Sequence, residues 1–139
     1  MCAYVLDNSA LWIGDGRTLS GHLIVAGGRI EAVRQGRYRG DLPVTDLAGM
    51  TLSPGLVDLM VLGALGRSVL RDDAVELGRE YLKLGVTTCQ LCIGTLPAES
   101  IGQVADNAGK AAAYTGMDAA RVAGLYLEGP FQQPDLTGG

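Results

Sequence analysis

The chain has 139 residues, of which 47% are hydrophobic and 19% charged, with a formal net charge of -4. That is enough for one ordinary domain with a sizeable core; disorder is excluded by the apolar content, and nucleic acid is an unfavoured partner for an acidic chain without a basic run. No apolar stretch approaches the roughly 18–20 residues that span a bilayer, and the N-terminus lacks the basic and long apolar regions of a signal peptide. A cytoplasmic protein with no membrane partner is therefore expected.

In chain order, the first fifty residues read as short strands between glycine turns. Tyr4-Val5-Leu6 and Ala10-Leu11-Trp12-Ile13 are strand-like, and Gly14-Asp15-Gly16 is a turn. His22-Leu23-Ile24-Val25 is a strand, and Arg29-Ile30-Glu31-Ala32-Val33 alternates as a half-buried strand does. Val44-Thr45-Asp46-Leu47 is another short strand after a polar loop. The expectation for residues 1–52 is a small antiparallel β domain.

The period changes after the turn at Ser53-Pro54-Gly55. Residues 56–62 (LVDLMVL) are nearly all apolar, as in a parallel strand covered on both faces. Asp72, Asp73 and Glu76 resemble a capping box at the start of a helix whose inner face is Ala74, Leu77, Tyr81 and Leu84, stopped at Gly85. Residues 86–93 form a second strand. Pro97 opens a second helix, with Ile101, Val104, Ala105, Ala108 and Ala112 on its buried face and an end near Gly116. Residues 121–127 form a third strand. This is the βαβαβ order of a parallel α/β sheet joined by right-handed crossovers.

Three segments carry a family resemblance. Pro54-Gly55-Leu56-Val57-Asp58 resembles the start of the barrel in the amidohydrolase superfamily, and Gly85-Val86-Thr87-Thr88 the entry to its second strand. Leu127-Glu128-Gly129-Pro130-Phe131 resembles the third-strand signature of N-acetylglucosamine-6-phosphate deacetylases. The segments come in the family's order. The resemblance implies an α/β fold: the first three strands and two helices of a (β/α)8 TIM-type barrel (residues 53–139), preceded by the N-terminal part of a composite β-sandwich (residues 1–52). It implies deacetylation of N-acetylglucosamine-6-phosphate to glucosamine-6-phosphate and acetate, with an amino-sugar phosphate as the small-molecule partner and a homodimer as the family's habit. It also implies that Glu128 is a ligand of a divalent metal, zinc first among the candidates. Two later histidines and a late aspartate, the general acid/base, would complete the site beyond residue 139, so no catalytic residue is assigned within the chain. Another amidohydrolase activity, of cyclic-amidase or deaminase type, is the alternative within the superfamily, and a non-catalytic remnant is the alternative outside it.

The chain departs from the family at two places. Many amidohydrolases carry His-x-His after the aspartate of the first motif; here Met60 and Leu62 stand there, and neither offers a zinc donor. The segment Cys89-Gln90-Leu91-Cys92-Ile93-Gly94-Thr95 replaces an "LPT"-type sequence. Because a TIM barrel takes ~250 residues, the chain is expected to be the N-terminal part of a longer protein or a truncated product. It is also expected to be poorly soluble or partner-dependent alone, and to bind metal weakly, since one carboxylate supplies one of the roughly three protein ligands of a catalytic zinc.

Other chemistry-bearing residues read as structural. Cys2, Cys89 and Cys92 make no disulfide framework, and Cys89 and Cys92, three apart on a strand, point to opposite faces. His22, the sole histidine, is expected on a surface or edge strand. Asp58 is expected to support structure, and Arg67 and Arg71 are expected to be surface charge. Ser53, Ser68 and Ser100 lie in no nucleophile elbow, and no glycine cluster precedes Lys-Ser/Thr as a phosphate loop requires.

Overall fold

The computed structural model describes residues 3–129, which divide between two compact units, Met1–Pro54 and Gly55–Gly139. The first unit holds strands β1 (Tyr4–Trp12), β2 (Thr18–Ala26), β3 (Arg29–Gln35), β4 (Val44–Asp46) and β5 (Thr51–Leu52) in one sheet of order β3-β2-β1-β4, with β5 also on β1. β1 is one long strand rather than two short ones. The Leu6/Ser9 register shift and the left-handed Asn8 (φ 58°) form a bulge that lets it continue. β1, β2 and β3 pair antiparallel, but β4 and β5 run parallel to β1, which corrects the purely antiparallel expectation. The cause is the loop after β3, which carries the chain across the sheet before it re-enters along the free edge of β1.

Alternation on β1 buries Val5, Asp7, Ser9 and Leu11. Two of the four are polar, so this face needs internal partners. Asp7 receives the Arg37 Nε–H at 2.7 Å and the Tyr38 N–H at 3.2 Å. His22 is a correction: it lies on β2, an inner strand, and is buried rather than at an edge. Its Nδ1 is 2.8 Å from the Gly36 carbonyl and its ring meets Tyr38 edge-on at 5.3 Å. The loop after β3 thus satisfies Asp7 and His22, while Ser9 Oγ donates to the Gly21 carbonyl on β2 at 3.4 Å.

The second unit holds β6 (Leu56–Val61), the small hairpin β7 (Gly63–Ala64) and β8 (Arg67–Ser68), α1 (Ala74–Lys83), β9 (Val86–Ile93), α2 (Ala98–Ala112) and β10 (Arg121–Leu127). β10, β9 and β6 form a parallel sheet in that order, so the βαβαβ expectation is met. Asp73 caps α1 by accepting from Val75 N–H (2.8 Å) and Glu76 N–H (3.1 Å), while the Glu76 side chain engages Arg79. Pro97 is the N-cap residue of α2 rather than part of its first turn, and the helix ends at Ala112, before Gly116. Its inner stripe is Ile101, Val104, Ala108 and Ala111; Ala105 and Ala112 are exposed.

Both helices pack on one face of this sheet around Val61, Leu77, Cys89, Leu91, Ile93, Val104, Ala108 and Val122. The expectation that β6 is covered on both faces is therefore corrected. As an edge strand with helices on one side, it buries Val61 and leaves Leu56, Val57, Leu59 and Met60 exposed. No described helix is long and apolar enough to cross a membrane.

Candidate functional site

The C-terminal ends of parallel strands are where such sheets gather reactive groups. Glu128 stands directly after β10, and its backbone N–H donates to the Ile93 carbonyl at 2.8 Å, extending the β10/β9 ladder by one residue. Which face it reaches is decided earlier on the same strand. Val122 pairs with Cys89 and Leu125 with Leu91, and all four pack in or against the helix-side core. Two inward residues three apart break strand alternation, and the register shift between Val122 and Gly124, with Gly124 at φ 156°, supplies the extra residue. From Leu125 the alternation resumes. Tyr126, paired with Cys92, lies on the face away from the helices, and Glu128 follows in the same phase. Burial pushes the Cys92 thiol up, and the nearby Glu128 charge pushes it further, consistent with that shared face.

The carboxylate side chain of Glu128 is exposed. Gly129, at φ 123°, packs against Thr95 so closely that a Cβ would stand 2.7 Å from Thr95 Oγ1. Pro130 and Phe131, which complete the motif, and Cys2 lie outside the described residues.

The other candidates do not converge on Glu128. Met60 and Leu62 are exposed, without a suitable donor. Asp58 Oδ1 accepts from its own neighbour, the Met60 N–H, at 3.0 Å. Cys89 and Cys92 are fully buried; Cys89 belongs to the helix-side core and Cys92 does not. Burial and then the Asp58 charge push the Cys89 thiol up to about 11, so neither cysteine is a ready thiolate. Arg67 faces three carboxylates of the α1 region, Asp72, Glu76 and Glu80, at 3.7–3.8 Å, and is committed to them. Ser68 spends its N–H on Asp72 and its Oγ on the Leu70 N–H.

An anionic oxygen at a strand tip fits one coordination position of a divalent ion. Among the described residues, however, no three His, Cys, Asp or Glu side chains gather to hold one. The described donors fall short of a metal centre, so no chemical step is derived through a metal. A cavity of about 340 Å³ in this unit lies at the opposite end of the sheet, against the strand starts Thr87 and Arg121. The polar centre of the first unit, Asp7 with Arg37, was not singled out from sequence. A lone aspartate inside an alternating strand was its signal.

No protein-family model matches the chain. Over 105 residues it is 31% identical to the N-acetylglucosamine-6-phosphate deacetylase of Vibrio furnissii, a match that spans 73% of this chain and 25% of that protein. The fold matches the N-acetylglucosamine-6-phosphate deacetylase of Pasteurella multocida with a TM-score of 0.74 at 23% identity, over 96% of this chain and 36% of that one. It matches a variant of the Mycobacterium smegmatis enzyme, in complex with N-acetyl-D-glucosamine-6-phosphate, with a TM-score of 0.66 at 23% identity, over 95% and 33%. A D-hydantoinase matches with a TM-score of 0.57 at 21% identity, over 76% and 24%. The chain thus spans about a quarter of the length of the curated relative it matches. In sequence the chain is similar to an N-acetylglucosamine-6-phosphate deacetylase, and in its α/β fold to structures of such deacetylases, covering only a fragment of their length.

Proposed function

We propose that residues 1–139 contribute the first strands of the catalytic barrel, and part of a β-sandwich, to a metal-dependent amide hydrolase of the N-acetylglucosamine-6-phosphate deacetylase type. In this reading the β10-β9-β6 sheet is the opening arc of a (β/α)8 TIM barrel, and its helix-free face looks into the barrel. The reaction adds water to the acetamido carbonyl and breaks the C–N bond. The nitrogen takes up a proton, leaving glucosamine-6-phosphate and acetate. A divalent ion, zinc first, supplies carbonyl polarisation and acidified water in such chemistry. The part of Glu128 is to offer that ion one anionic oxygen. The working protein is cytoplasmic and, as the family resemblance implies, pairs with a second copy.

The observation that supports this reading best is the placement of Glu128 at the C-terminal tip of β10 on the face away from the helices, inside the segment that resembles the deacetylase signature. A chimera tests it. Residues 1–139 replace the matching segment of a deacetylase relative, and turnover of N-acetylglucosamine-6-phosphate is measured. Activity is expected, with kcat/KM falling at least about 100-fold on Glu128→Ala, the upper range for disturbing a metal's surroundings. Activity untouched by Glu128→Ala would refute the assignment. The likeness to a D-hydantoinase favours a cyclic amide as the second substrate class. Turnover of a hydantoin in place of the amino-sugar phosphate would favour that class.

A further inference from the structure

The cavity of about 340 Å³ at the starts of β9 and β10 lies at the end of the sheet away from Glu128, and the proposed reaction leaves it unused. Its walls come from three parts of one unit: Leu82 on α1, Ala111 on α2, and Ala119 and Ala120 on the segment that leads into β10. Those walls are apolar. Arg121, the first residue of β10, also stands on the lining. Arg67 and Arg79 in the same unit are tied to carboxylates. The Arg121 guanidinium, in contrast, has no hydrogen bond or ion pair among the described residues.

Two features keep this cavity open. The first is a brace. The Tyr114 hydroxyl donates to Asp118 Oδ1 at 2.6 Å, and Arg79 on α1 donates its Nε–H to Asp118 Oδ2 at 2.8 Å. Gly116 seats on the Tyr114 ring so closely that a Cβ would collide with the hydroxyl. The loop that forms one wall is thus tied to α1 by side chains. The second feature is Met117. It lines the cavity yet is 95% exposed, so this flexible apolar side chain does not fill the space. An unfilled apolar void forfeits packing contacts that a methionine is well suited to restore. The braced loop holds Met117 outside instead.

We propose that this cavity binds a small monocarboxylate with a short apolar body. At ~30 Å³ for each water-sized volume, it has room for about ten non-hydrogen atoms. The apolar walls take the body, and Arg121 pairs with the carboxylate at the rim. One uncommitted guanidinium matches one negative charge. A dianion would bring a second charge against apolar lining without a partner, which is costly. The inference does not depend on the hydrolase reading, because Glu128 lies at the other ends of the strands.

Amide NMR of the whole chain, titrated with hexanoate, tests this. The amides of Ala119, Ala120 and Arg121 are expected to shift, while those of Ile93 and Glu128 stay in place. Acetate carries the charge without the body, and hexanol the body without the charge. Each should bind at least about tenfold more weakly than hexanoate. Arg121→Gln should weaken hexanoate at least about tenfold and leave hexanol unchanged. Ala119→Leu, which enlarges a side chain on the cavity wall, should weaken both. Thr115→Leu, on the same lining, replaces it if the core signals of Leu77 and Leu91 move. Absence of shifts with hexanoate in the native chain would overturn the site. Equal responses to hexanoate and acetate would reduce it to an adventitious anion contact. Hexanoate binding untouched by Arg121→Gln would remove the carboxylate assignment, and the proposal with it.

Discussion

The buried face of β1 in the first unit carries Asp7 and Ser9 between Val5 and Leu11, whereas the buried face of the second unit's sheet is lined by Val61, Cys89, Leu91 and Ile93. The first sheet keeps polar groups inside, satisfying Asp7 from the loop after β3 and Ser9 from the Gly21 carbonyl of β2. The second keeps its helix side apolar and leaves apolar β6 residues exposed on the other side. In the first unit, partners already present in the chain hold the charged group. In the second, the candidate charged group is presented outward at the strand tips, and its backbone carries the constraint. A carboxylate held by its own oxygens is spent on structure. One held by its main chain keeps its oxygens available.

Substitutions can break or sharpen this contrast. The largest effect is expected from Leu77→Ala, which opens a cavity in the fully buried apolar core; a loss of about 2–5 kcal/mol in denaturant unfolding is expected. Asp7→Asn should come next, with accelerated amide exchange around β1 and the loop after β3. Burial opposes ionisation of Asp7, but the hydrogen bond from Arg37 and those from the Asn8 and Tyr38 N–H groups outweigh it and hold the carboxyl below its ordinary value of 3.8. A depressed acid stabilises the fold above its unfolded pKa and loses that contribution as pH falls through the folded one. Protection of the first unit should therefore be complete above 3.8 and fall at lower pH, and Asp7→Asn should flatten that dependence.

Asp73→Ala removes the α1 cap and should cost about 1 kcal/mol, measured by the same denaturant unfolding. The smallest effect is expected at Leu59, where Leu59→Gln on the exposed β6 surface should change stability by no more than about 0.5 kcal/mol while reducing self-association in sedimentation. A large loss at Leu59 would mean that the β6 surface is covered in solution and would remove the contrast between the units.

The parts of this fold legible in the sequence were those written in local periodicity. Ala74, Leu77 and Tyr81 repeat at helical spacing behind an Asp73 cap, and α1 lies there. The order of strands and helices after residue 55 followed from the same kind of signal. What was not legible depends on partners distant in sequence. The parallel pairing of β4 and β5 with β1 is set by a chain crossing, and His22 is buried because Gly36 and Tyr38 return to it. The face of Glu128 was hidden for a related reason. Simple alternation from Val122 would turn Glu128 toward the helices, and only the bulge before Gly124 reverses it. The apolar run of β6 misled because composition reports what a strand can bury, not how many neighbours the described residues provide.

The proposal that Glu128 is a metal-binding carboxylate is tested most directly by metal content. The chimera carrying residues 1–139 in a deacetylase relative would be purified, and zinc counted per chain by elemental analysis, alongside its Glu128→Gln variant. The expected result is bound zinc in the chimera and its loss on Glu128→Gln, with the fold intact by circular dichroism. Equal zinc in the two folded proteins would contradict it.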